Sequence, residues 1–110
     1  MKTLKFRPAL AQLILEGKKT TTWRLFDDKD LQAGDEIEFL NWETKEVFGY
    51  AAILEISEKP IKNLDDDDWA GHERFPNEEV MYAHYQEYYP GQDVGRNTNV
   101  KIVHFVLLKA

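Results

Sequence analysis

The alternation of apolar and polar positions along this chain predicts five strands and two main helices. Residues 3–7 and 36–42 alternate in the manner of half-buried strands, and residues 20–25, 47–57 and 99–108 are rich in β-branched and aromatic side chains. A helix is predicted to begin at Pro8 and to stop at Gly17, and a second helix to run from an Asn77 cap to Tyr88. The predicted order is β-α-β-β-β-α-β with short connections.

This density of strands favours an α+β fold, a mainly antiparallel barrel of about five to six strands flanked by the two helices. A flat α+β sheet is the competing architecture. The last strand is apolar on both faces from Ile102 onward and is expected to be central. Lys59-Pro60 is expected to break the sheet after a strand with one apolar side. That side is predicted to comprise Phe48, Tyr50, Ala52, Leu54 and Ile56.

Length and composition indicate a single domain over residues 1–110. The absence of cysteine excludes disulfides and thiolate metal sites. The charged start of the chain is unlike a signal peptide, and no apolar run approaches the ~20 residues that span a bilayer. We therefore expect a soluble, cytoplasmic protein without membrane partners, present as a monomer or weak dimer.

The net charge of −6 argues against a general nucleic-acid binder, because such proteins carry broad basic surfaces. The basic residues are nevertheless concentrated near the start of the chain, where residues 1–24 hold six lysines and arginines against the single acid Glu16. Any nucleic-acid contact is expected to be local. A small nucleotide-like ligand suits such a patch at least as well.

The segment from Gly17 to Arg24 carries most of the candidate chemistry. In an extended strand, Thr20, Thr22 and Arg24 share one face. The long stem of Lys19 can fold back toward that face from the start of the strand. A cation, a hydroxyl and a guanidinium then converge, which suits an anionic or carbonyl-bearing ligand.

The pattern as a whole resembles the ASCH family, a branch of the PUA-like β-barrel superfamily. The shared features are Gly-x-Lys-x-x-Thr-x-Arg at residues 17–24, Leu-x-x-Gly-Asp at 31–35, Glu73, Tyr-Pro-Gly at 89–91 and the closing apolar strand. Many family members have Glu where this chain has Thr22. The threonine makes the motif similar to that of the small bacterial amidohydrolases that deacetylate N4-acetylcytidine.

This resemblance implies Lys19, Thr22 and Glu73 as the catalytic set, acting on N4-acetylcytidine or a related N-acylated pyrimidine nucleoside without a metal or other cofactor. Arg24, Lys18 and Phe6 are the expected substrate-binding residues. The same cleft could instead serve a non-catalytic RNA-binding module or a ribonuclease, with single-stranded RNA as the partner. Arg24 also has a structural alternative, an ion pair with Asp27, Asp28 or Glu73.

Amide hydrolysis needs a nucleophile, a base and a proton for the leaving amine. One hypothesis makes Thr22 the nucleophile and Lys19 its base, with Glu73 returning the proton. The other has Lys19 and Glu73 activate a water molecule while Thr22 orients the amide. Burial and Arg24 would lower the pKa of Lys19 whereas Glu73 would raise it, so the sequence leaves the direction open.

No metal site is expected. The acidic run Asp65–Asp68 lacks a calcium-loop pattern and suits a solvated turn that favours a helix N-terminus. His72 has no second histidine at helical spacing, and His104 lies among apolar strand residues, as a core histidine would. Trp23 and the tyrosines of the second helix are expected to be packing residues.

Overall fold

The computed structural model describes all 110 residues as a curled five-stranded sheet, a half-barrel, with three helices. The strands are β1 (Lys2–Phe6), β2 (Thr21–Leu25), β3 (Glu36–Asn41), β4 (Val47–Pro60) and β5 (Asn99–Lys109). The helices are α1 (Pro8–Leu15), the single turn α2 (Asp66–Trp69) and α3 (Glu78–Tyr88), with a 3-10 turn at Ile61–Asn63. The predicted order is confirmed, and α2 is an additional short helix.

The sheet is mixed, in the order β1-β3-β4-β5-β2. β1 runs parallel to β3, and the other neighbours are antiparallel. β5 lies between β4 and β2, so the expectation of an interior last strand is confirmed. The edge strands approach each other where Arg24 Nη2 on β2 donates to the Lys5 carbonyl on β1, at 3.1 Å. One long side chain therefore crosses the open seam of the barrel.

Two apolar clusters fill the fold. The larger lies between α1 and strands β1, β3, β4 and β5, and is centred on Phe39, whose ring centroid lies 4.8 Å from that of Phe6 and 5.0 Å from that of Phe105. The smaller joins β2 and β5 to α3 through Trp23, Met81, Tyr85 and Ile102, among others. Trp23 and Leu25 of β2 belong to this smaller cluster, and every β2 residue except Arg24 is buried.

The predicted apolar side of β4 is wrong in its middle part. Ala51 and Ile53 are buried, whereas Tyr50 and Leu54 are exposed. The strand pairing shifts register at Phe48 and again after Ile53, and each bulge moves the following residues to the opposite face. Strict alternation therefore fails along this strand.

The expected break at Lys59-Pro60 is also wrong, because β4 continues to Pro60, which pairs with Asn99. Proline is tolerated here because it ends the strand, beyond the last pairing of β4 with β3 at Ala52. The acidic run is a helix start, as expected. Asp65 caps α2 in a reciprocal capping box with Asp68, and Asp68 also pairs with Lys59 at 2.7 Å.

None of the helices combines the length and hydrophobicity needed to traverse a lipid bilayer.

Candidate functional site

Lys19 is buried at the start of β2, with only 2% of its surface exposed. Helix α1 ends at Leu15, and Gly17 follows with a φ of +77°, in the left-handed region that favours glycine. The backbone N–H groups of Lys18 and Lys19 then both donate to the Leu13 carbonyl, which turns the chain inward. The Lys19 Nζ donates to the Thr21 carbonyl at 2.7 Å and to Glu73 Oε1. The ammonium is therefore enclosed by protein acceptors rather than water.

Glu73 reaches Lys19 because the segment after α2 is joined to the start of β2. The Gly71 carbonyl accepts hydrogen bonds from the N–H groups of Thr20 and Thr21, at 2.9 and 3.1 Å. Gly71 has a φ of +75°, and a Cβ there would lie 2.2 Å from Thr20 Oγ1. Glycine is thus required at this crossing, two residues before the carboxylate.

The buried pair has unusual acid–base properties. Burial lowers the pKa of Lys19 from 10.5 to about 8, despite the opposing attraction of Glu73, and the charge of Arg24 adds to the lowering. Burial alone would raise the pKa of Glu73, but the Lys19 ammonium more than offsets this, and the carboxyl pKa falls below its ordinary value. At neutral pH the resting pair is mainly an ammonium and a carboxylate.

The imidazole ring of His72 lies against Glu73 and contacts both its backbone carbonyl and its carboxylate. Burial, together with the Lys19 charge, lowers the pKa of His72 to about 3, so the ring is neutral. Its Nδ1 lies 2.8 Å from the Glu73 carbonyl and 3.3 Å from Glu73 Oε1. Nδ1 therefore carries the proton, and Nε2 accepts from the Tyr85 hydroxyl at 3.3 Å. The ring also stacks on Trp23 at 3.8 Å, which fixes its plane.

A cleft of about 380 Å³ opens beside this pair. Its size falls in the range typical of small-molecule sites. Thr22 and Glu73 line it, whereas Lys19 lies beneath the surface and reaches it through Glu73. The other lining residues are Lys5, Phe6, Arg7, Leu10, Trp23, Arg24, Asp28, Lys29, Trp42, Tyr85, Tyr88 and Tyr89.

The structure thus brings Lys19, Thr22 and Glu73 to one place, and Arg24 and Phe6 line the same cleft. Phe6 is almost fully buried and supports the guanidinium of Arg24, 4.8 Å above its ring. Lys18 is not part of the lining. Its exposed amine lies 3.8 Å from Glu16.

Arg24 forms no ion pair with a carboxylate, so the structural alternative drawn from the sequence is wrong. Asp27, one of the expected partners, pairs instead with Lys101 at 2.8 Å and accepts backbone hydrogen bonds in its own loop. Arg24 and Lys101 lie opposite each other in the β2–β5 pair, and the lysine is the one that contacts Asp27.

The sequence patterns do not identify several residues that line the cleft. They predict that the tyrosines near the end of α3 are packing residues, and they give no role to Arg7. Tyr85, Tyr88 and Tyr89 occur at near-helical spacing, and that repeat was the available signal for an aromatic wall. Trp42 lies in the turn after β3 and is 42% exposed, so its ring is accessible for stacking. Nowhere does the structure gather three or more His, Asp or Glu side chains suited to holding a metal ion.

Solved structures share this architecture. A protein of Enterococcus faecalis described under the family DUF984 matches 92% of this chain and 71% of its own, with a TM-score of 0.76 and 16% identity. The ASCH domain of Lactobacillus crispatus matches 93% of this chain and 72% of its own, at 0.70 and 20%. The chain has the ASCH-domain fold. The ASCH protein of Zymomonas mobilis shares it too, over 94% of this chain and 65% of its own, at a TM-score of 0.61 and 20% identity.

No family model and no curated protein sequence match the chain. At these levels of identity the shared ASCH fold confirms the predicted architecture and says nothing about activity.

Proposed function

We propose that the chain is an ASCH-family amidohydrolase that removes the acyl group from N4-acetylcytidine or a related N-acylated pyrimidine nucleoside without a metal ion. The observation that carries the proposal is the buried Lys19–Glu73 pair, whose carboxylate opens with Thr22 into a nucleoside-sized cleft. Amide hydrolysis needs a base that is active near neutral pH and a nucleophile, and either the Thr22 hydroxyl or a water molecule in the cleft can serve as that nucleophile.

The pKa of about 8 for Lys19 makes its amine a practical base. At pH 7 roughly 9% of such a lysine is neutral, against roughly 0.03% of a lysine with an ordinary pKa. Because Lys19 donates directly to Glu73, a proton taken up by one member of the pair can pass to the other. Glu73 then presents that proton to the cleft.

In the first mechanism, Thr22 Oγ1 attacks the acyl carbon and its proton passes to the pair. The bond between the acyl carbon and N4 breaks, N4 receives the proton through Glu73, and water then releases the acyl group from Thr22. In the second, the pair deprotonates a water molecule that attacks the carbonyl directly, and the same proton leaves with N4. The ring of Trp42, which is 42% exposed, offers a surface on which a pyrimidine can stack.

The direct test is the ultraviolet spectrum of N4-acetylcytidine during incubation with the protein and a chelator. We expect conversion to cytidine that persists when the chelator is present. An unchanged spectrum at high protein concentration, with other N4-acyl cytosines also inert, would contradict the proposal.

Thr22→Val separates the two mechanisms. Valine preserves the shape of the side chain and removes the hydroxyl, so it should lower kcat by at least ~10²-fold if Thr22 is the nucleophile. Steady-state kinetics on N4-acetylcytidine measure the effect. Turnover within a few-fold of wild type would instead favour an activated water.

The pH dependence should follow Lys19. Because its neutral form is the base, log kcat/KM is expected to rise with pH and to level off above about 8, the pKa of the free protein. His72, with a pKa of about 3, does not titrate in this range. A rate that falls as the pH passes 8 would show that the ammonium is the active form.

A non-catalytic RNA-binding module, or a ribonuclease, is the second candidate. The observation that favours it is the basic and aromatic rim, where the amine of Lys5 lies 6.0 Å from the centre of the Trp42 ring and Arg7 lies 4.7 Å from that of Tyr88. Salt-sensitive binding of labelled single-stranded RNA at low micromolar protein, without turnover of acylated cytosines, would favour this candidate.

A further inference from the structure

We propose that Arg24, Arg7 and Tyr88 form a phosphate subsite in the cleft, so that its natural ligand is a pyrimidine nucleoside phosphate rather than a free nucleoside. The inference relies on the proposed function only for the identity of the base. The phosphate can belong to a free mononucleotide or to a single strand of RNA, and the chemistry of the subsite is the same for both.

The charge of Arg24 has no carboxylate in direct contact with it. Its guanidinium is half-buried at the seam of the barrel, where it contacts the Lys5 carbonyl and the Phe6 ring but no carboxylate. Glu73, whose charge acts on Arg24 from a distance, forms its ion pair with Lys19 instead. A partly buried cation without a direct carboxylate contact is costly, and a ligand anion would supply the missing contact.

Three buried polar side-chain atoms of cleft residues have no hydrogen-bond partner. Arg24 Nε, Arg7 Nε and Tyr88 Oη are all buried without a hydrogen-bond partner, and all three residues line the cleft. Native proteins rarely leave such groups unpaired. Three of the four such side-chain atoms in the chain belong to cleft residues, the fourth being Tyr82 Oη, and this concentration indicates that a group rich in oxygen atoms binds there after small side-chain adjustments.

Neighbouring groups hold both arginine side chains in place. Arg7 follows the last residue of β1 and lies over the Tyr88 ring, and its outer nitrogen is tethered to Glu87 at 3.3 Å on the protein surface. Arg24 is held against the last two residues of β1. Two guanidinium groups therefore flank one strand end, in fixed orientations suited to the several oxygen atoms of a phosphate.

The local charge agrees with this assignment. Four basic residues line the cleft, namely Lys5, Arg7, Arg24 and Lys29, whereas the lining acids are Asp28 and the already paired Glu73. The whole chain carries a net charge of −6. An anion is thus attracted to this cleft against the general field of the protein, which favours a localised phosphate over a long polyanion.

The test compares the dissociation constants of cytidine and cytidine 5′-monophosphate by calorimetry. Neither compound carries an acyl group, so the result does not depend on catalysis. We expect the monophosphate to bind at least ~10-fold tighter, the effect of one or two charge-assisted hydrogen bonds. Inorganic phosphate should compete with the monophosphate and not with cytidine.

Arg24→Gln should abolish the preference for the monophosphate, and Arg7→Gln should reduce it. Lys62→Gln, which removes the same charge from an exposed site outside the cleft, should leave it intact. Arg7→Gln keeps the test informative if loss of the seam contact prevents Arg24→Gln from folding. A preference that Lys62→Gln weakens as much as Arg7→Gln would reflect only the general charge and would overturn the subsite.

A short oligocytidine serves as the third ligand. Tighter binding than the monophosphate identifies RNA as the source of the phosphate, and weaker binding identifies the free nucleotide, and both support the subsite. Equal affinity for cytidine and its monophosphate overturns the subsite and leaves the amidohydrolase proposal untouched. Conversely, a phosphate preference in a protein that never hydrolyses N4-acetylcytidine would retain the subsite and remove the proposed reaction.

Discussion

Lys19→Ala is expected to lower kcat/KM for N4-acetylcytidine by at least ~10³-fold, near the upper range for loss of a general base. Lys19 is the only lysine that contacts Glu73, and its lowered pKa supplies the neutral amine. Initial rates from the ultraviolet assay, with saturating and limiting substrate, measure the effect.

Lys18→Ala is the matched control, because it removes the neighbouring lysine of the same motif. The amine of Lys18 is exposed, lies near Glu16 and is outside the cleft, so we expect rates within about two-fold of wild type. Comparable losses in both variants would mean that the motif acts through its overall charge. The role of Lys19 as a base would then be untenable.

Glu73→Gln is expected to destabilise the fold by about 3 kcal/mol at pH 7, because it leaves the Lys19 ammonium buried without its counter-charge. Lys19→Met combined with Glu73→Leu should recover much of this loss, since replacing both members of a buried pair by apolar groups is often nearly neutral. Urea unfolding of the wild type and the variants measures the coupling.

The same variant should show a characteristic pH dependence. The pKa of Lys19 is about 8 in the folded chain and ~10.4 in an unfolded one. The folded chain therefore holds fewer protons between these values, and its stability rises with pH across that window. Without Glu73 the folded pKa falls further and the window begins lower. The loss of unfolding free energy caused by Glu73→Gln, relative to the wild type, should hence shrink as the pH is raised toward 8. A loss that stays constant over this range would mean that Lys19 is not buried in solution.

Most of the fold could be predicted from local patterns. Spacing and turn residues predict helix α1, which begins at Pro8 and stops shortly before Gly17. They also predict the hairpin of β3 and β4. The errors fall where strand pairing overrides alternation. The bulges of β4 exchange the faces of Tyr50 and Ala51, and pairing with β5 carries the strand through to Pro60. Such effects depend on a neighbouring strand that is distant in sequence.

The residue types of the site and their order are evident in the sequence: a lysine just before β2, a hydroxyl and an arginine on that strand, and a carboxylate before the second main helix. Their burial and their hydrogen-bond partners depend on the folded chain. The pairing of Lys19 with Glu73 follows from Gly71, whose carbonyl joins a segment about fifty residues away to the start of β2. The contact of Arg24 with β1 and the exposure of Lys18 likewise appear only in the folded chain. A pKa and an unpaired charge depend on desolvation and on partners brought together by folding, and local sequence contains neither.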